Sequence, residues 1–208
     1  MRTSLFLLLM LSSSLAWAQE ERSDVFDRIY VIQKMETVVR GRIEVAPMAG
    51  YIANDPYFHQ LAVGGNLGFH ITEEWGLGGT FFQYFTARSA FFGQAQRDYA
   101  IFPADVHNEW GAGGWLTWAP IRGKVALYPL AIMHTRFYVK TGAGVLRTST
   151  GLHPDGELGL GLQLLAMSFW SVVVELTDQM YIEKYNARDE FKNQFVVRAG
   201  FSFLIPVL

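Results

Sequence analysis

Apolar residues alternate with small or polar ones along several stretches of about ten positions each. Leu61-Ala62-Val63-Gly64-Gly65-Asn66-Leu67-Gly68-Phe69-His70-Ile71 shows the pattern best. Leu61, Val63, Leu67, Phe69 and Ile71 share one parity, and Ala62, Gly64, Asn66, Gly68 and His70 share the other. Successive side chains of a strand point to opposite faces. One face therefore suits lipid and the other a small, polar lumen. The pattern predicts an all-β fold: a transmembrane, antiparallel, up-and-down β-barrel of about eight strands.

The strands are expected near residues 42–52, 59–71, 75–85, 107–119, 135–146, 156–165, 169–177 and 191–205. Tight turns at 72–74 and 166–168 belong on the periplasmic side. Loops at 86–106, 147–155 and 178–190 belong outside, and an even strand count places both termini below. Residues 120–124 read as a turn. The apolar run 125–133 is broken by Pro129, which is disfavoured inside a sheet. It reads as an interfacial excursion or a short start to the next strand. Residues 158–174 are apolar enough to mimic a membrane helix, but the Leu-Gly alternation before Gln163 reads as strand.

The N-terminus sets the compartment. Arg2, the apolar run 5–15 and Ala16-Trp17-Ala18 form a secretory signal peptide with cleavage after Ala18. The run is too short to span a bilayer. The expected organisation is a signal peptide at 1–18, a periplasmic N-terminal extension at 19–40 and the barrel domain at 41–208. The chain has no cysteine, which excludes a lipoprotein anchor and disulfides. Of 17 basic and 19 acidic residues, cleavage removes only the base Arg2, leaving a net charge of about −3. With no basic excess, nucleic acid is not expected as a partner. Phe 16, Tyr 9, Trp 6 and Gly 20 fit a barrel better than a soluble α/β enzyme.

The chain resembles a family of small outer-membrane β-barrels best known from myxobacteria. The resemblance is carried by Ile29-Tyr30-Val31-Ile32-Gln33-Lys34, Gly41-Arg42-Ile43-Glu44-Val45-Ala46-Pro47 and Tyr51-x-x-Asn54-Asp55-Pro56. Further matches are Gly123-Lys124, Phe137-Tyr138 with Gly142-Ala143-Gly144-Val145, Val174-Glu175-Leu176-x-Asp178 and Gly200-Phe201-Ser202-Phe203. It implies a barrel in the outer membrane of a Gram-negative cell and no agreed activity. Residues 198–205 also look like the C-terminal signal read by the outer-membrane assembly machinery, with Gly200, Phe201 and Phe203 as its markers. The chain departs from the common form by continuing through Pro206-Val207-Leu208.

Candidate chemistry sits mostly inside the barrel. Glu44, Arg136, Lys140, Glu157, Glu175 and Arg198 fall on the inward parity. An eight-stranded barrel is just wide enough for side chains to fill. These charges are expected to plug the lumen as an ion-pair network centred on Glu175 and Arg198; the competing reading is a narrow, porin-like pore. Trp75, Trp110 and Trp118 are placed in the aromatic girdles at the membrane interfaces. Ser149, His153 and Asp155 are a hydrolase-type set on paper, but a triad is defined by geometry, and a polar loop is the plainer reading. His107-Asn108-Glu109 lacks zinc spacing, and the glycine groups at 76–79 and 142–144 precede no helix pattern. Phe91-Phe92, Tyr99 and Ile101-Phe102-Pro103 either mark a partner surface or pack over the barrel mouth. No catalytic set, metal site or cofactor is expected. The expected partners are outer-membrane lipid, the assembly machinery and envelope proteins. The expected function is a non-enzymatic structural or interaction role in the cell envelope. A narrow channel for ions or small solutes and a soluble lipocalin-like periplasmic barrel remain as alternatives.

Overall fold

The computed structural model describes residues 39–99, 105–127, 131–166, 169–185 and 188–206. The signal peptide and nearly all of the N-terminal extension lie outside the described residues. Thr37–Leu208 forms one compact unit. Its strands are β1 (Arg42–Ile52), β2 (Phe58–His70), β3 (Trp75–Arg88), β4 (Asn108–Leu127), β5 (Ala131–Thr148), β6 (Gly151–Leu165), β7 (Trp170–Tyr185) and β8 (Arg188–Pro206). One helix, α1 (Ala90–Tyr99), follows β3. The strands form a closed barrel in sequence order. Every neighbouring pair is antiparallel, including β1 with β8.

Closure leaves the alternating side chains only two places to go. On β2, Leu61, Val63, Leu67 and Phe69 are exposed, whereas Ala62, Asn66 and His70 are buried. β6 repeats this with Leu158, Leu160 and Leu162 outside and Glu157 and Gln163 inside. On β8, Phe195, Val197, Phe201 and Phe203 are outside and Arg198, Ser202 and Leu204 inside. The exterior is apolar and the interior polar, the reverse of a water-soluble barrel. We call the end holding the 71–74 turn the floor and the opposite end the mouth.

Crowding inside selects glycine where strands come close. A Cβ on Gly200 would lie 2.1 Å from the Pro47 carbonyl oxygen and 2.8 Å from Met48 Cα. Gly200 faces Met48 across the β1–β8 seam that closes the barrel, so a side chain there pushes the seam apart.

Several expectations need correction. Residues 120–124 are not a turn, and for 125–133 the alternative of a short start to the next strand holds at 131–133, with 128–130 outside the described residues. β4 continues to Leu127 and β5 starts at Ala131, paired throughout, with a register irregularity between Trp118 and Ile121. Pro120 falls at that irregularity, where a missing N–H is tolerated. Residues 147–155 and 178–190 are not long loops. β5 runs to Thr148 and β6 restarts at Gly151, while β7 and β8 pair as far as Tyr185 with Arg188. The backbone ladder outlasts the apolar alternation near the mouth. The expected short-below, long-above order therefore reduces to one long excursion above, residues 89–107, and a long β4–β5 hairpin below. That excursion contains α1, capped by Ser89, whose Oγ accepts from the Phe92 N–H at 3.4 Å.

Candidate functional site

The lumen is the most organised polar region of the molecule, and it is built in layers from the floor upward. Val39, Leu165 and Leu204 form an apolar cluster at the floor. The Glu73 carboxylate fixes the chain there, accepting from the Val39 and Arg40 N–H groups at 3.0 to 3.2 Å.

Above them lies the Glu44 layer. Arg136 Nη1 is 3.3 Å from His70 Nδ1. A guanidinium only donates, so Nδ1 accepts and the ring proton sits on Nε2. Nε2 then donates to Glu44 Oε2 at 2.7 Å. The other Glu44 oxygen accepts from Ser202 and from Gln163 Nε2.

The central layer is organised by Glu175. Its Oε1 accepts from the Tyr138 hydroxyl at 2.6 Å and its Oε2 from Lys140 Nζ at 3.2 Å. Lys140 also lies 5.6 Å from the centre of the Trp115 ring, which points into the lumen. Arg198 pairs with Glu157 and sits 4.4 Å over the Phe82 ring. Tyr84 donates to Gln179, and Gln179 donates to Asp155.

This corrects the expected Glu175–Arg198 pair. The two residues are direct partners in register across β7 and β8, but each carboxylate takes a different cation. Both oxygens of Glu175 are engaged by Tyr138 and Lys140, and the guanidinium leans around the lumen to Glu157. Near the mouth, His153 Nε2 stands 3.4 Å from Glu183, and Thr150 also bonds that carboxylate. Asn108 links Gln60 to Gln194 across the top.

All six expected inward charges thus lie inside the barrel. Arg136, Lys140, Glu157, Glu175 and Arg198 are buried, and the Glu44 side chain is 12 % exposed. His153 and Glu183 also belong to the network and were assigned to loops. Parity carries the signal that finds Glu183: Glu175, Thr177, Gln179, Tyr181 and Glu183 lie on one face of β7, all buried. Among the described residues, two cavities of about 20 and 10 Å³ lie between the lumenal layers, each with room for no more than about one water, and a wider one of about 270 Å³ opens at the mouth beside Tyr57, Tyr181 and Gln194.

Trp75 and Trp118 pair on neighbouring strands at the floor rim, with rings stacked at 6.1 Å and 24°. Trp110 stacks on Phe81 at 6.5 Å. The eight steps from Trp110 to Trp118 span about 27 Å of strand, or about 20 Å of height at the usual barrel tilt. Phe201 and Phe203 are on the exterior of β8. The hydrolase set does not assemble. Ser149 donates to the Asp105 carbonyl, His153 faces Glu183, and Asp155 accepts from Gln179. Among the described residues no group of three His, Cys, Asp or Glu is placed to hold a metal.

At the mouth, α1 packs down. Phe92 is buried against Phe58, with ring centres 5.4 Å apart, and Arg88 lies over the Phe92 ring. Phe91 stays exposed, 5.8 Å from Tyr57. Arg88 also donates to Asp105 at 2.8 Å, which holds that carboxyl below its ordinary range. Residues 101–103 of the expected aromatic loop lie outside the described residues.

No family model and no curated protein matches the chain, so the resemblance to the myxobacterial-type family gains nothing from them. Three solved structures are similar at low identity. A de novo designed transmembrane β-barrel is 12% identical with a TM-score of 0.42, covering 80% of this chain and 97% of that one. The outer membrane protein AlkL, solved in DMPC bilayers, is 9% identical with a TM-score of 0.36, covering 81% and 92%. Ail, the attachment invasion locus protein of Yersinia pestis, is 10% identical with a TM-score of 0.37, covering 80% and 99%.

Proposed function

We propose that this protein is an integral outer-membrane barrel with a structural or interaction role in the cell envelope, acting through surfaces outside the lipid and not through its lumen. The observation that carries this is the combination of an apolar exterior with a sealed, ion-paired interior. A lipocalin-like barrel needs the opposite polarity, with apolar residues inward to hold a ligand. Here Leu61, Phe69, Leu160 and Phe201 are outward, and Arg198, Lys140 and Glu175 inward. The exterior therefore asks for hydrocarbon. In hydrocarbon a closed barrel leaves no backbone group unsatisfied.

In this reading Trp75 and Trp118 mark the periplasmic interface and Trp110 the outer one. Phe201 and Phe203 present the assembly signal on the lipid face of the last strand, and Gly200 permits the seam behind them to close. Alkaline carbonate extraction tests the location, because only an integral barrel stays in the membrane pellet. Planar-bilayer recording of the heat-shifted, folded protein tests the sealed lumen. Silence is the expected result. Stable conductance steps that change when Arg198 is substituted would replace this reading with the narrow channel.

A further inference from the structure

Below the floor, β4 and β5 go on pairing after their outer neighbours have ended. β3 stops at Trp75, opposite Trp118, and the last bond on that side runs from the Ala119 N–H to the Glu74 carbonyl at 2.8 Å. On the other side, β6 reaches only as far as Leu165, opposite His134. Yet β4 continues to Leu127 and pairs with β5 down to Leu127–Ala131. A two-stranded ribbon therefore projects from the rim. Its longer edge, residues 120–127, extends about 25 Å. Ile121, Arg122, Gly123, Lys124 and Val125 are exposed in succession. A barrel wall forces alternate residues inside, so five exposed in a row place the β4 strand of this ribbon in the open on both faces, while 133–135 on β5 are half-buried.

Its chemistry is polarised. Ile121 and Val125, 62% and 45% exposed, fall on one face, and Arg122 and Lys124 fall on the other. Residues 119–133 contain no acid. Arg122 is braced at the base, 3.7 Å from both Glu73 and Glu74, whereas Lys124 has no partner among the described residues. No described strand pairs with the outer edge of 120–127. Such an edge is a row of backbone donors and acceptors that can take another strand, with Pro120 and the charges of Arg122 and Lys124 guarding it against indiscriminate pairing. Hydrocarbon is the wrong seat for this ribbon, because its edge would enter lipid with backbone groups unsatisfied.

We propose that the β4–β5 ribbon is a docking edge in the periplasm that takes an extended, acidic polypeptide segment of an envelope partner as an added strand along residues 120–127. Backbone pairing supplies the binding, and Lys124, lying beyond the Arg122 that Glu73 and Glu74 hold, selects a carboxylate on the incoming strand. The side of the membrane rests on the outer-membrane reading above; the edge and its charge do not.

The test uses the full folded barrel in lipid nanodiscs and a fluorescent synthetic peptide alternating valine and glutamate, read by anisotropy. Binding is expected, and it should vanish when alternate peptide amides are N-methylated, which removes strand pairing and keeps the charge. Lys124→Glu is expected to weaken it about tenfold. Replacing residues 121–133 by an Asn-Gly turn should abolish it, with heat-shifted migration showing that the barrel still folds. Equal binding of the methylated peptide reduces the ribbon to a charged patch and overturns the proposal. So does ribbon-dependent capture of phosphatidylglycerol vesicles, or of a second copy of the chain, in place of the peptide. Failure of the outer-membrane reading registers separately, as release by carbonate with peptide binding retained.

Discussion

At the scale of single residues, the lumen is decided by which cation each carboxylate takes. Arg198 is fully buried and its main anionic partner is Glu157, so truncating it strands a charge in a closed interior. Arg198→Ala is expected to lower unfolding stability in detergent by about 3–5 kcal/mol. Adding Glu157→Gln should recover much of that, because the stranded charge goes with it. Urea titrations of the single and double variants check both statements. Parity shows that Glu175 and Arg198 point inward, and counting from their periplasmic turns puts them at similar height. It does not show which way a long side chain leans around the lumen, and that choice separates the expected pair from the observed ones. Gly200 makes a second test. Gly200→Ala places a methyl within 2.1 Å of the Pro47 carbonyl oxygen, and loss of the heat-shifted folded band is expected. Gly156→Ala, where a Cβ meets nothing within 4 Å, should fold normally.

At the scale of elements, the middle of each strand was legible and its ends were not. Alternation reads cleanly where one face meets apolar surroundings, as at Leu61 to Phe69 or Leu158 to Leu162. Nearer the mouth, both faces carry polar groups, so residues 178–185 look like loop although their backbone pairing continues to Tyr185. Below the floor the β4 strand of the ribbon is exposed on both faces, and Pro120 adds a turn signal inside a strand that goes on pairing. α1 was hidden for a different reason: ten residues within a polar excursion, marked only by Ser89 as a cap. Phe92 is what docks it, between Phe58 and Arg88. Phe92→Ala is therefore expected to release the helix while leaving the barrel intact. Trypsin cleavage at the exposed Arg97 should rise by about tenfold or more without any change in heat-shifted migration. Unchanged cleavage would mean that Phe92 is not the anchor.

At the scale of the whole molecule, the layers act as barriers in series. The Glu44–His70–Arg136 layer, the central layer in which Arg198 reaches mouthward from the level of Glu175 to Glu157 over Phe82, and the His153–Glu183 group fill the lumen in succession from floor to mouth. A tube closed at several heights opens only when every closure is removed. The cavities between them hold about one water each. A hydrated ion therefore finds no room between these layers. Opening the central layer alone, with Tyr138→Ala and Lys140→Ala together, should destabilise the barrel, because Glu175 loses both of its short partners. It should still leave a planar bilayer silent, because Arg198 and Phe82 close the lumen above and Arg136 closes it below. A plug and a gate give opposite results here. In a plug the charges hold the walls together and each layer is redundant for sealing. In a gate one layer holds back the current and its removal suffices. Stable conductance steps from this single double variant would identify the central layer as a gate. Silence combined with a lowered unfolding midpoint would identify the network as the internal brace that lets the outer surfaces do the work.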